Sequence, residues 1–326
     1  MTKKKKAYKV DVDLNDIFRN RPTQSQRSTE RHTLTVSQAL EIIVKQMQAA
    51  GLRERTISDY TTYVLDFAKK IGNPDIGALS VEHIYEWLSS MNVSNATKLI
   101  RLKCLKAFLG RCFDNGWIEK KFWRSVNVKV DTPVKEGATD REVKLLLSLL
   151  DLSDFVQLRD ATALLTMYQC GLRVGTVVQL ENKHVDLNAK LLRIDGSLIK
   201  NHEAIHLPFD DVLARLYAVL MRQNDIVRSE NGVKNELLFI TRRGGKIATS
   251  SSNNNIRKQL HKYAKKYGLK NINPHALRRG FAKNLLRKGA DLPLISKALG
   301  HSDLAVTTRY LHIDKEEVAE NLRKFL

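Results

Sequence analysis

The apolar residues in the first half of the chain repeat with the period of an α-helix from residue 35 onward. The first such pattern contains Val36, Leu40, Ile43 and Met47. Three further helical segments follow, and the residues that can cap them are Thr56, Ser80 and Ser94. Gly72 is typical of the position just after a helix. This pattern predicts a bundle of about four helices.

The last of these helices, which begins after Ser94, has one apolar face and a strongly basic remainder. Its apolar stripe consists of Leu102, Leu105, Leu109 and Cys112. The remaining surface carries five cations: Lys98, Arg101, Lys103, Lys106 and Arg111. Such cations indicate either an ordinary solvated surface or contacts with phosphate groups, and the pattern alone leaves both interpretations open.

The helical period stops after Trp123 and is interrupted by proline and glycine residues. It returns where Thr139 and Glu142 can form a capping box, so we predict a linker at residues 125–138. Beyond the linker, helical segments alternate with three short runs of β-branched or alternating residues: Leu191–Ile194, Ala204–Pro208 and Leu237–Thr241. These runs predict a small sheet inside a mostly helical domain.

The whole chain is therefore predicted to be mainly α with a small β-sheet, in the α+β class. Residues 1–33 are polar and basic and lack apolar periodicity, which is typical of a flexible arm. A helical domain at 34–124 and a mixed domain at 139–326 follow, on either side of the linker. A short apolar stripe after Asp314 predicts a tail helix that docks on its own domain or on a neighbouring copy of the chain.

The net charge indicates what kind of partner the chain binds. The chain has 55 Lys and Arg residues against 35 Asp and Glu residues, a formal charge of +20. A charge of this size indicates a polyanionic partner such as nucleic acid, and it favours phosphate contacts for the cations after Ser94. The sequence has no GxxxxGK[ST] loop, no CxxC and no EF-hand loop. We therefore expect no metal, ATP or other cofactor.

The N-terminal segment does not resemble a targeting sequence. Four lysines begin at Lys3, but no apolar segment of a signal peptide follows them. No apolar run approaches the roughly 18 residues that a membrane span needs. We expect a cytoplasmic protein without a membrane partner, associated with the nucleoid in a bacterium. The three cysteines are expected to be reduced and buried: Cys104, Cys112 and Cys170.

The strongest chemical signal lies near the C-terminal end. Asn273 and Pro274 form a helix start, with a capping residue followed by proline at the first helical position. His275 and Arg278 then fall in the first turn and on one face, because they are three residues apart. The free amides and the dipole at this end of a helix favour a bound oxyanion.

A second helix start follows at Asp291 and Pro293, and Gly300 ends that helix so that His301 is presented just beyond it. Tyr310 lies nine positions further along, on a third short helix. Each functional residue has an ordinary structural explanation when it is taken alone. Two histidines, an arginine and a tyrosine without a carboxylate make a poor metal site, however, and together they suit a pentavalent phosphorane.

These segments resemble the C-terminal signature of the tyrosine recombinases of the phage-integrase family. The matching segments are HALRR at His275–Arg279, LGH at Leu299–His301 and TTRY at Thr307–Tyr310. The family's first arginine lies in a GLR turn, and the matching turn of this chain contains Arg173. The family's lysine lies before a strand, and the segment before HLPF in this chain contains Lys200. The resemblance extends from Thr35 to the end of the chain.

The resemblance implies a site-specific DNA recombinase that cleaves and rejoins DNA through a 3′-phosphotyrosine intermediate and a Holliday junction. It implies that 34–124 is a core DNA-binding domain and 139–326 a catalytic domain, and that four copies assemble on double-stranded DNA, with room for an accessory DNA-bending protein. The catalytic residues that it implies are Arg173, Lys200, His275, Arg278, His301 and the nucleophile Tyr310.

Two positions depart from the family pattern. Thr176 stands where an acidic residue is frequent, and Arg279 stands where histidine is common. Arg279 joins the five cations of the first domain as a candidate DNA contact. Two alternatives remain open: a nicking and resealing enzyme similar to type IB topoisomerases, and a non-catalytic DNA-binding protein on the same fold.

Overall fold

The structure is a computed structural model that describes residues 34–131, 135–199, 203–248, 254–301 and 303–311, together with Arg323; at 309 and 310 it describes the backbone alone. The predictions for the arm at 1–33, for Lys200 and for the tail helix lie outside these residues. The chain divides into two compact units, with the boundary between Thr132 and Pro133. None of the helices in the described ranges is both long enough and apolar enough to cross a membrane.

In the described part of the first unit, four helices confirm the predicted bundle. They are α1 (Val36–Ala49), α2 (Glu54–Lys70), α3 (Val81–Ser90) and α4 (Asn95–Asp114). Their apolar faces meet in one core, where the rings of Phe67 and Trp87 pack edge to face with centroids 5.4 Å apart. Ser80 and Ser94 directly precede α3 and α4, as predicted.

The start of α2 differs from the prediction. Thr56 lies inside the helix, so its assignment as the capping residue is wrong. The helix begins at Glu54, and Arg53 occupies the cap position in an extended conformation. The Arg53 carbonyl accepts hydrogen bonds from the amides of both Thr56 and Ile57. The first turn therefore closes on the backbone, and no side-chain cap is needed.

The described part of the second unit contains eight helices and a three-stranded sheet. The helices are α5 (Asp140–Leu149), α6 (Phe155–Cys170), α7 (Val174–Val177), α8 (Asp211–Asn231), α9 (Asn255–Lys266), α10 (Pro274–Arg287), α11 (Leu292–Ala298) and α12 (Leu304–Leu311). The strands are β1 (Val185–Asp186), β2 (Leu191–Ile194) and β3 (Ile205–Pro208), which pair antiparallel in that order. This architecture confirms the predicted fold class.

The third predicted strand, Leu237–Thr241, is wrong. It forms only isolated bridges, from Leu237 to Glu181 and from Ile240 to Lys246. Two side chains of α8 take the place of a partner strand, because Asn224 and Arg228 donate hydrogen bonds to carbonyls of this segment. The apolar pattern is real, since the segment is buried, but side chains pair with its carbonyls where a neighbouring strand would otherwise do so. The two-residue strand β1 is too short to show an alternating pattern and was not predicted.

The cysteines of the described chain are free thiols. Cys112 and Cys170 are buried in the cores of the first and second units, and Cys104 on α4 is half-buried. Burial raises the pKa of the Cys170 thiol to about 12, so this group is a core residue and a poor nucleophile.

The second unit is organised around α6, which is buried along most of its length. Helices α8 and α10 pack against it. Gly280 allows α10 to approach closely: a methyl group at this position would lie against the Ala138 carbonyl oxygen and 2.7 Å from Cε2 of Tyr168. The close approach fixes the position of α10, which carries two of the predicted catalytic residues.

We expect Gly280→Ala to destabilise the second unit by roughly 1–3 kcal/mol, because the added methyl group overpacks this contact. Gly110 is a matched control, since it also lies in a helix but has nothing within 4 Å of an added methyl group. Gly110→Ala should stabilise the first unit by up to about 1 kcal/mol.

Urea denaturation followed by two signals separates these effects. All three tryptophans lie in the first unit, so their fluorescence reports that unit, whereas circular dichroism reports both. Gly280→Ala should lower the midpoint seen by circular dichroism and leave the fluorescence midpoint unchanged. A wild-type midpoint in both signals would contradict the close contact at Gly280.

Candidate active site

Arg278 occupies the centre of the site in the second unit. Asn273 caps α10 by accepting a hydrogen bond from the Ala276 amide at 2.9 Å. The helix begins at Pro274, so Arg278 is its fifth residue and lies just past the first turn in which it was predicted. The Arg278 side chain is only 2% exposed. Its guanidinium donates to the carbonyl oxygens of Gly171 and Leu299. These carbonyls follow α6 and α11, so Arg278 joins the ends of two helices to a third.

His301 is the third neighbour of the Arg278 guanidinium. Gly300, in the left-handed conformation with φ of 59°, ends α11 and turns the chain so that His301 faces α10. Nε2 of His301 lies 3.0 Å from Nη2 of Arg278, and Nδ1 lies 2.9 Å from the Thr307 hydroxyl. Because the guanidinium only donates, Nε2 accepts, and Nδ1 carries the ring proton.

Arg173 lies in the turn that Arg278 holds. Gly171 ends α6 in the left-handed conformation with φ of 63°, and Arg173 directly precedes the short helix α7. Thr176, which replaces the acidic residue frequent in the family, donates its hydroxyl to the Leu198 carbonyl at 3.2 Å. The turn of Arg173 is therefore tied to the segment after β2, two residues before Lys200.

Electrostatic interactions connect the four predicted catalytic residues whose side chains the structure describes. Burial lowers the pKa of His301 to about 4, and the charges of Arg278 and Arg173 act in the same direction. Burial also lowers the pKa of His275, even though part of this residue is exposed, and several arginines lower it further. Those arginines are, in decreasing order of effect, Arg279, Arg278, Arg257 and Arg173. Both rings are therefore neutral at pH 7.

Tyr310 lies on α12, but the structure describes only its backbone. Two neighbouring residues fix that helix. Thr307, one turn earlier, forms the hydrogen bond with His301, and Leu311 is fully buried in a small cluster with residues of α10 and α11 such as Phe281 and Ile295. The backbone of the predicted nucleophile is thus anchored on both sides to elements of the site.

Arg257 is a further candidate site residue, which was not predicted from the sequence. It lies in the first turn of α9 and lowers the pKa of His275. The signal was present in the sequence of the helix, NIRKQLHKYAKK, which carries five Lys and Arg residues and no acid. A cavity of about 700 Å³ flanks the same helix, and its basic lining includes Arg242, Arg243, Lys258 and Lys262. A positive surface thus extends outward from the site.

The cations predicted on α4 belong to the first unit and are partly engaged within it. Lys98 donates to the Leu88 carbonyl at 2.8 Å, and Lys106 donates to the Arg124 carbonyl at 3.3 Å. Arg101 lies over the ring of Tyr63. Arg111 is half-buried, and Lys103 is exposed. Their contact with DNA remains a prediction.

The segment HEAIH at 202–206 has the letters of the HExxH motif, in which two histidines one helical turn apart bind zinc. That spacing requires an α-helix. Here Ile205 and His206 belong to strand β3, and His206 pairs with Arg193 of β2. The match is therefore one of letters only.

Comparison with known proteins identifies the family. The model described as "Phage integrase family" matches residues 138–317. Tyrosine recombinase XerC of Thermodesulfovibrio yellowstonii is 30% identical over 230 residues, which cover 70% of this chain and 74% of that protein. Tyrosine recombinase XerC of Serratia marcescens is 25% identical over 285 residues, which cover 86% of this chain and 90% of that protein.

A solved structure shares the fold. The Tn1549 transposon integrase in complex with a circular intermediate DNA superposes with a TM-score of 0.71 at 17% identity, covering 90% of this chain and 100% of that chain. The fold and the family model agree. The chain belongs to the phage integrase family of tyrosine recombinases, enzymes that cleave and rejoin DNA.

Proposed function

We propose that the chain is a site-specific recombinase that cuts each DNA strand with Tyr310 and exchanges strands through a Holliday junction. The observation that carries the proposal is the chain of contacts from Arg278 through His301 to Thr307. It links the buried guanidinium to the helix of Tyr310. The similarity to XerC proteins, which are named tyrosine recombinases, supports the same reaction.

In the cleavage step, the Tyr310 oxygen attacks the phosphorus and the bond from phosphorus to the 5′-oxygen breaks. The product is a 3′-phosphotyrosine with a free 5′-hydroxyl, so the energy of the phosphodiester is kept and no nucleotide is consumed. The phenol proton passes to His275, which is neutral at pH 7 and can accept it. Lys200 supplies the proton that the 5′-oxygen takes up.

Arg173 and Arg278 bind the non-bridging oxygens of the phosphate. Arginine is suited to this role because its planar guanidinium donates two parallel hydrogen bonds, whereas lysine acts as a point charge. The contacts of Arg278 with Gly171 and Leu299 hold the guanidinium in place before DNA arrives. The charge that develops in the transition state is therefore stabilised by a cation that is already held in position.

His301 has a role that depends on its tautomer. With Nε2 accepting from Arg278, the ring orients the guanidinium. Donation from Nε2 to a phosphate oxygen requires the proton to move to Nε2, and the Thr307 hydroxyl permits this because it can either accept from Nδ1 or donate to it. His301 can thus donate a hydrogen bond to the phosphate once DNA is bound.

Two basic surfaces are proposed to hold the duplex. One is α9 with Arg257 and the cations around the neighbouring cavity in the second unit, and the other is the basic face of α4 in the first. Contacts of this kind bind phosphate and confer little sequence preference. Base contacts from a few side chains would select the recombination site.

Strand exchange needs two duplexes and four active sites, so the active assembly is proposed to be a homotetramer on DNA, assisted where required by a DNA-bending protein. The tail predicted after Asp314 is a candidate link between copies. A mainly apolar cavity of about 540 Å³, lined by residues such as Leu207, Phe281 and Leu294, offers a receptor for a short apolar helix.

Two experiments separate this proposal from its alternatives. The DNA substrate is a duplex containing the site that the protein selects from randomised DNA. A nick beside the cleavage position traps the covalent adduct, which a non-catalytic binding protein would not form. Recombination between two marked duplexes then distinguishes a recombinase from a nicking and resealing enzyme of the topoisomerase type.

We expect Tyr310→Phe to bind this duplex normally and to form no covalent adduct, because it loses one oxygen and keeps the cationic site. Tyr263→Phe is the matched control. The Tyr263 hydroxyl donates to Asp160 at 3.0 Å, and burial raises its pKa, so its loss should leave adduct formation intact. Adduct from Tyr310→Phe at the wild-type level would refute the assignment of the nucleophile.

Arg173→Lys and Arg278→Lys should each slow single-turnover cleavage by roughly two decades, since one lost oxyanion donor is worth about 3 kcal/mol. DNA affinity should change little. Arg193→Lys is the control, because Arg193 pairs with Asp186 on the surface at 2.9 Å, and it should cleave like the wild type. A large loss of affinity with normal cleavage at saturating DNA would show that these arginines only grip the duplex.

The histidine assignments predict an NMR titration. The His301 ring should titrate with a midpoint of about 4, assigned by the signal that disappears in His301→Gln. Because the cations and burial favour the neutral ring, protonation begins only well below the ordinary histidine value of roughly 6.5. A midpoint near that ordinary value would mean that the ring is not held against Arg278.

A further inference from the structure

The segment 136–138, called here the strap, lies directly on the first two turns of α10. The Ala138 amide donates to the Ala276 carbonyl at 2.8 Å, and Nε of Arg279 donates to the Glu136 carbonyl at 2.9 Å. Gly137 between them is buried. A methyl group on Gly137 would stand 2.7 Å from the Gly280 amide nitrogen, so backbone touches backbone with no room for a side chain.

The two ends of the strap are fixed by Asn271, which lies just before α10. Its side-chain amide donates to the Glu136 carboxylate at 3.3 Å, and its backbone amide donates to the carboxylate of Glu142 at 3.1 Å. Glu142 in turn closes the capping box with Thr139 at the start of α5. The strap is therefore held between the start of α5 and the start of α10.

The two residues of α10 that form hydrogen bonds with the strap each directly follow a residue of the site. Ala276 follows His275, and Arg279 follows Arg278. Contacts at these two positions, one turn apart, fix both the rotation of α10 about its axis and its height along that axis. A small change in either would move His275 and Arg278 relative to the phosphate, and reactive groups tolerate little displacement.

Arg279 was a candidate DNA contact, but its surroundings indicate a different task. It is half-buried, and its Nε is engaged by the strap. It is also the first of the four cations that act on His275, ahead of Arg278 on the same helix, Arg257 on α9 and Arg173 before α7.

We propose that Arg279 is a positioning residue for strand cleavage, which joins the strap to α10 and so fixes the helix turn that carries His275 and Arg278, and that it does not grip the DNA backbone. This inference rests on the proposed function of the site. Its charge adds a second effect, because it helps to keep His275 neutral and able to accept the tyrosine proton.

The test is the pH profile of single-turnover cleavage at saturating selected duplex, with DNA affinity measured in parallel. Arg279→Met removes the strap donor and the charge. We expect its cleavage rate at pH 7 to fall roughly tenfold or more, while DNA affinity changes by less than about twofold. Cleavage requires neutral His275, so it rises with pH through the pKa of that ring. Loss of a nearby cation raises this pKa, and the acidic limb of the Arg279→Met profile should move to higher pH.

Two further variants separate charge from geometry. Arg279→Lys keeps the charge and loses the planar donor, so it should cleave slowly with an acidic limb at the wild-type position. Gly137→Ala displaces the strap and leaves Arg279 in place, and it should also cleave slowly without moving that limb. Lys135→Ala is the control, because Lys135 is exposed and directly precedes the strap; its rate should stay within about threefold of wild type.

Three results would overturn the inference. Weaker DNA binding by Arg279→Met with a smaller salt dependence and normal cleavage at saturation would make Arg279 a phosphate contact. An Arg279→Met rate that falls equally at every pH, with a lowered melting temperature, would make its role structural. A wild-type rate and limb in both Arg279 variants would leave the residue without a role. Adduct formation by the wild-type chain shows, independently, whether the proposed function itself stands.

Discussion

The buried guanidinium of Arg278 is the interaction on which the site depends. An arginine in the interior keeps its charge, and a buried charge without partners is strongly unfavourable. The partners here are carbonyls at the ends of α6 and α11 and the ring of His301. Because these partners belong to two segments, one after α6 and one after α11, a single side chain of α10 fixes the turn before Arg173 and the loop of Leu299 and His301 relative to one another.

The same arrangement concentrates positive charge. Arg173 and Arg278 act on both histidines, and Arg257 and Arg279 act on His275 as well. The cations repel one another and oppose protonation of the rings. A phosphodiester placed among them relieves this repulsion, and a transition state with more negative charge relieves it further, which is the condition for catalysis by differential binding. In the proposed reaction, polyanion binding and catalysis therefore use the same residues.

The sequence was sufficient where local rules decide the structure. Asn273 with Pro274, and Asp291 with Gly300, define helix ends through capping and the left-handed conformation, and these ends present His275 and His301 as expected. It was insufficient where contacts with other segments decide the structure. The segment 237–241 looks like a strand, but side chains of α8 pair with its carbonyls, and nothing in its own pattern reveals them.

Arg279 makes the same point for the site. Its position beside Arg278 and its charge suggested a DNA contact, and nothing in the neighbouring sequence indicated that it donates to the carbonyl of Glu136, which lies 143 residues earlier in the chain. Arg257 was overlooked for the related reason that its neighbour, His275, lies on another helix. Pairings between distant segments become visible only in the folded chain.

The most direct test of the central claim, that Tyr310 on α12 attacks DNA within this cationic cluster, is to identify the residue that carries the DNA. The adduct trapped on the nicked duplex is digested with nuclease and trypsin and analysed by mass spectrometry. Cleavage after Arg309 and Lys315 releases the peptide YLHIDK, which begins at Tyr310. We predict this peptide with a nucleotide attached through the tyrosine oxygen. A nucleotide on any other peptide, or none on a chain that has cleaved its DNA, would contradict the account.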